Sequence, residues 1–249
     1  MPRANRYIMD GYTYHLTHRC HDQDYLLKFD KDRRAYCNWL AEGVSRFKVP
    51  VLAYCITSNH VHIVVHAETA EAVAELMHLA AGATARGYNR RRGRSGSFWE
   101  DQYQCTAIEN GRHLLHCIVY VHLNMVRAGV VKHPDEWKWC GHAEFTGKRK
   151  RKLIIDTERL LASLEGMAPK DFYSWYSMAI EEQVHDLKMT RQPAWNEALA
   201  VGSRDYIEKM QKLYHTRSQL ELIQLPDVSG ETAWAVREIP DPYLNKRGG

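Results

Sequence analysis

His60 and His62 stand two residues apart in the stretch HVHIVVH. On a strand, successive side chains point to opposite faces, so both imidazoles would share a face about 7 Å apart at the backbone. One divalent cation fits between two such rings, although the pair would serve equally as solvent-facing or hydrogen-bonded histidines. Tyr120 and Asn124 are four apart in a stretch of helical character, with His116 a turn before them and Arg127 a turn after. A phenol, a carboxamide and a guanidinium in a row pack poorly as a core, whereas Leu115, Ile118, Val119 and Met125 supply an apolar opposite face. The chemistry these groups offer together is attack by a hydroxyl on a metal-polarised centre, because a free phenol, with pKa about 10, is a weak nucleophile at neutral pH.

The elements that must position these side chains are legible as alternating patterns. Residues 12–20 (YTYHLTHRC), 49–57 (VPVLAYCIT), 60–66 and 98–108 (FWEDQYQCTAI) read as strands. Residues 31–47 and 69–90 read as helices, and a further helix is expected from an Asn110 cap to Gly129, a glycine suited to a left-handed terminus. The order β-α-β-β-α-β predicts an α+β fold: a ferredoxin-like (RRM-like), four-stranded antiparallel sheet with helices packed on it. After residue 147 the expected organisation is a basic linker and a mainly helical C-terminal extension over 148–249. Its helices are expected at 157–164, 170–184 and 203–213, followed by a largely irregular tail with a short strand at 232–236.

Hydrophobic residues are 45% and charged residues 26% of the 249, the profile of a folded globular protein. No apolar run approaches the roughly 20 residues of a membrane span, and MPRANRYIMD lacks the apolar stretch of a secretory signal, so a cytoplasmic chain without a membrane partner is expected. The six cysteines form no CxxC pair and are expected as reduced core residues. The net charge of +4 decides little, but its distribution does more. Arg90, Arg91, Arg92 and Arg94 crowd one stretch, and Lys148, Arg149, Lys150, Arg151 and Lys152 form an unbroken run. Blocks of this kind attract phosphate backbones, and they also occur as solvated helix ends and linkers.

TSNHVHIVVH (57–66), FWEDQYQCTAI (98–108) and YVHLNMVRAGVV (120–131), in that order and together with YTYHLTHRC, resemble the single-tyrosine HUH transposases, most of all the REP-associated tyrosine transposases. The resemblance runs from about residue 7 to 145. It implies that His60 and His62 bind a catalytic Mg²⁺ or Mn²⁺, that Tyr120 is the nucleophile and that Asn124 completes the metal site, with Gln102, Gln104 or His116 as substitutes. The implied partner is single-stranded DNA with hairpin structure, cut and rejoined through a 5′-phosphotyrosine. Arg127 and the two basic runs are the expected DNA contacts, and Tyr14, Tyr54, Trp99 and Tyr103 are candidate base-stacking platforms or core. Met125 departs from the family, which usually has proline there, so a local geometric change with retained chemistry is expected. The implied location is the nucleoid, as monomer or homodimer. Two other readings stay open: a catalytically silent regulator binding single-stranded or hairpin DNA, and a metal-dependent phosphodiesterase using Glu100 or Asp101.

Overall fold

The computed structural model describes residues 7–151, 153–185, 192–214, 220–225 and 232–239. Lys152, and the tail prolines Pro226, Pro240 and Pro242, lie outside the described residues. The first six elements follow the expected order: β1 (Tyr12–Arg19), α1 (Asp30–Phe47), β2 (Val51–Ile56), β3 (His60–Ala67), α2 (Ala70–Arg92) and β4 (Gln104–Ile108). They form an antiparallel array in the order β2-β3-β1-β4, the split βαβ arrangement of a ferredoxin-like sheet. Thr69 caps α2, its hydroxyl accepting from the Ala72 amide at 3.2 Å. The two helices pack closely where Gly43 meets Leu76: a Cβ on Gly43 would lie 2.5 Å from Leu76 Cδ1.

Alternation sorts the sheet into two surfaces. Tyr14, Leu16, Val61, Ile63 and Val65 are buried and face one way. Thr13, His15 and Thr17 of β1 lie opposite His66, Val64 and His62 of β3 and face the other way. That polar face is covered by α3 (Arg112–His122) and α4 (Asn124–Arg127) rather than by water. The single helix expected from Asn110 to Gly129 is therefore two. Gly111, not Asn110, stands at the N-cap of α3, and Leu123 (φ −86, ψ 4) interrupts the helix one residue before Asn124. The interruption occurs without proline at 125, where Met125 is buried. Gly129 does adopt the left-handed terminus (φ +66).

Downstream come α5 (His142–Phe145), α6 (Thr157–Ala162), α7 (Pro169–His185), α8 (Ala194–Glu197), β5 (Ala200–Gly202), α9 (Arg204–Leu213), β6 (Leu220–Gln224) and β7 (Trp234–Glu238). Among the described residues the sheet has seven strands, three beyond the expected four, in the order β2-β3-β1-β4-β5-β7-β6. Strand β5 adds parallel to β4, and the β7–β6 pair follows it, so the sheet crosses the boundary expected at 147/148. The physical reason is the exposed edge of β4, whose backbone donors and acceptors need partners. The Ala107 amide bonds the Leu199 carbonyl at 2.8 Å, and the Glu109 amide bonds the Val201 carbonyl at 3.0 Å. All six cysteines are free thiols, five buried and Cys105 half-buried. No helix among the described residues is long and apolar enough to cross a membrane.

Candidate active site

His60 and His62 do share the polar face of β3, with ring centroids 4.7 Å apart. Neighbours fix what each imidazole can offer. His60 Nδ1 lies 2.7 Å from Asn59 Oδ1 and 3.0 Å from Thr57 Oγ1. A carboxamide oxygen only accepts, so Nδ1 carries the proton and Nε2 keeps its electron pair. His62 is set through a second imidazole, that of His15. The Trp195 carbonyl lies 2.7 Å from His15 Nδ1, and it can only accept, so that nitrogen is protonated. His15 Nε2 is then the acceptor for His62 Nδ1 at 2.9 Å, and the free electron pair of His62 falls on Nε2. Burial favours the neutral rings: it lowers His15 and His60 to about 4 and His62 well below the usual imidazole value.

Asn124 meets both rings. Its Nδ2 is 2.8 Å from His62 Nε2, and its amide also hydrogen-bonds His60. Two imidazole electron pairs and a carboxamide that can turn its oxygen toward them form an open N,N,O set suited to a divalent ion. Of the substitute third ligands, Gln102 and Gln104 instead line a pocket of about 290 Å³ with Thr17, Arg19, Asn196 and Glu197. His116 packs edge-on against Trp175, away from the pair. The stripe expected on the helix is thus broken at His116, because that side chain faces α7.

Tyr120, only 5% exposed, sits with its ring edge-on to His62 at 6.0 Å and to His15 at 6.1 Å. Its hydroxyl accepts from Asn196 Nδ2 at 2.6 Å, and Asn196 Oδ1 in turn accepts from Thr17 Oγ1 at 3.3 Å. Arg127 stacks its guanidinium 4.0 Å from the centre of the Tyr120 ring and donates to the Tyr120 carbonyl, so it belongs to this cluster rather than to a basic surface. His15, Trp195 and Asn196 escaped the sequence reading. His15 had a signal, since alternation in YTYHLTHRC puts it on a polar face with Thr13 and Thr17. Trp195, 180 residues from His15, had none.

The surface residues divide. Arg90, Arg91 and Arg92 are exposed on the last turn of α2, Arg91 paired with Asp32 and Arg92 stacked on Phe29 and Tyr88. Arg94 donates to Asn89 Oδ1 at 3.2 Å. Lys148 pairs with Asp135, and Arg149 donates to Tyr54 Oη and the Lys138 carbonyl, while Lys150 and Arg151 are exposed. Tyr14 and Tyr54 are fully buried and Tyr103 nearly so, which makes them core. Trp99, half-buried, stacks on His18 with centroids 4.1 Å apart.

Residues 8–124, just under half of the chain, match the family model of IS200-like transposases. No curated protein sequence matches the chain. Among solved structures it is similar to a REP-associated tyrosine transposase bound to a REP hairpin, with 17% identity, TM-score 0.48, and coverage of 59% of this chain and 87% of that one. It is also similar to a Deinococcus radiodurans R1 protein named by inference as a transposase, with 16% identity, TM-score 0.32, and coverage of 41% and 82%.

Proposed function

We propose that this chain is a transposase of the IS200-like kind, a metal-dependent strand transferase that cuts and rejoins single-stranded, hairpin-associated DNA through a covalent Tyr120–DNA link. The observation that carries the reading is the meeting of His60, His62 and Asn124 beside the Tyr120 ring, with both imidazole electron pairs turned toward the carboxamide. His60, His62 and Asn124 would hold a Mg²⁺ or Mn²⁺ ion, which when bound neutralises phosphate charge and makes the phosphorus more electrophilic. Tyr120 Oη attacks the scissile phosphorus, forming an O–P bond as the 3′-oxygen leaves and takes up a proton. The product is a 5′-phosphotyrosine and a free 3′-hydroxyl. One phosphodiester replaces another, so a 3′-hydroxyl of a second strand can reverse the step without ATP.

Asn196 donates to the hydroxyl that attacks, and the Arg127 guanidinium lies against the ring that carries the developing negative charge. Arg90, Arg92, Lys150 and Arg151 are exposed cations for the strand backbone. The reading places the enzyme in the cytoplasm on nucleoid DNA, acting twice as a monomer or once per subunit of a dimer.

The test is a suicide oligonucleotide carrying a hairpin, incubated with Mn²⁺ and resolved on a denaturing gel. The wild-type chain is expected to give a covalent adduct, abolished by EDTA and by His62→Ala. Tyr120→Phe is expected to bind the oligonucleotide and give none. An adduct persisting in Tyr120→Phe removes Tyr120 as nucleophile. Cleavage without any adduct favours a hydrolytic phosphodiesterase, and binding without cleavage a silent DNA-binding regulator.

A further inference from the structure

Residues 133–142 fold back toward α7 and bring His133, Asp135 and His142 together, one donor atom of each within 4.8 Å of the others. His142 Nε2 is 3.2 Å from Asp135 Oδ1, and His133 Nδ1 is 3.3 Å from Asp135 Oδ2. Ligands about 2.0–2.1 Å from a tetrahedral ion stand roughly 3.3–3.4 Å apart, so each imidazole stands at about that distance from one oxygen of the Asp135 carboxylate. An ion would draw the three donors inward and take over the His133 Nδ1 electron pair, which accepts from the Asp135 amide at 3.2 Å. His142 Nε2 is buried, with the Asp135 carboxylate as its near polar neighbour.

Each ring is also held from behind. His142 Nδ1 lies 2.6 Å from the Tyr176 hydroxyl, and His133 Nε2 lies 3.3 Å from Glu181 Oε1. Outer partners of this kind fix the orientation and tautomer of metal-ligating imidazoles. Both come from α7, so an ion here would tie the 133–142 segment to that helix. A cation already approaches the same carboxylate: the Lys148 ammonium pairs with Asp135, on a side chain 59% exposed and able to swing into solvent.

We propose that His133, Asp135 and His142 form a second divalent-cation site, of zinc class, distinct from the His60–His62 pair and contested by Lys148. Two imidazoles and one carboxylate are a borderline-soft donor set that suits Zn²⁺ better than Mg²⁺, with water as the fourth ligand. The site is structural, since no Tyr120 neighbour takes part in it.

The experiment uses the full chain carrying His60→Ala and His62→Ala, so that binding at the first pair is removed. Calorimetric titration with Zn²⁺, and visible absorption with Co²⁺, should report one equivalent in tetrahedral coordination. Adding His133→Gln, at a side chain 25% exposed whose change leaves the core intact, should weaken binding at least ~10-fold, as should Asp135→Asn. Lys148→Met should tighten binding several-fold, a change of sign that general destabilisation does not produce. Metal-free melting curves show that each variant is folded. Failure of the His60/His62 background to bind Zn²⁺ even with Lys148→Met, or affinity unchanged by His133→Gln and Asp135→Asn, overturns the site. Neither result bears on adduct formation by Tyr120.

Discussion

At the scale of single residues, the site depends on which nitrogen of each imidazole carries a proton. The Trp195 carbonyl sets His15, and His15 sets His62, through bonds of 2.7 and 2.9 Å. In the proposed site His15 is thus a positioning residue, acting on the His60–His62 pair through His62 Nδ1. His15→Phe keeps the ring volume but removes the acceptor, and Mn²⁺ affinity measured by electron paramagnetic resonance should fall about 10–100-fold. His15→Gln carries an oxygen near the position of Nε2 and should retain most of the affinity. Equal losses in the two variants would mean that His15 is packing alone. That His60 and His62 share a strand face, and Tyr120 and Asn124 a helix face, was legible in the sequence because strand and helix periods fix those spacings; their roles came from the resemblance. His15 was legible in principle, as one polar residue in an alternating strand. Asn196 was not, because its bond to Tyr120 spans 76 residues and no local period encodes it.

At the scale of elements, the first four strands followed from alternation and β7 was expected near 232–236, whereas β5 and β6 were not. Strand β5 has three residues and β6 five, too short and too mixed to declare a period, and they exist as strands because β4 offers them an edge. The helix carrying Tyr120 and Asn124 was read as continuous because its apolar period is continuous; the break at Leu123 is a tertiary adjustment that turns Asn124 toward His62. Val236 is fully buried between Ala200 and Leu222. Val236→Asp places a carboxylate in that apolar layer and should cost about 3 kcal/mol or more in urea unfolding. One shifted transition is expected, since the same sheet continues into β4 and β1. Two separate transitions would show instead that the C-terminal strands fold as a unit of their own.

At the scale of the whole molecule, buried histidines make stability a function of pH. Desolvation lowers His15, His60, His116 and His142 from 6.5 to about 4. Between those values the unfolded chain binds more protons than the folded one, so folding free energy is at its full value above about pH 6.5 and falls as pH drops toward 4. Urea midpoints at pH 7.5 and 5.0 should differ by at least roughly 3 kcal/mol in the extrapolated stability, and a flat profile would contradict the neutral rings. The long-range closure of the sheet carries another consequence, one of timing. His15 and the carbonyl that orients it are 180 residues apart, and a ribosome adding ~5–20 residues per second takes roughly 10–35 s to make that stretch. Over the last 75 residues of that stretch the nascent chain has His60, His62 and Tyr120, but not the carbonyl that fixes the His15 tautomer or the amide that holds the phenol. If the chain cuts strands as proposed, it is not armed while it is still being translated near its own coding DNA.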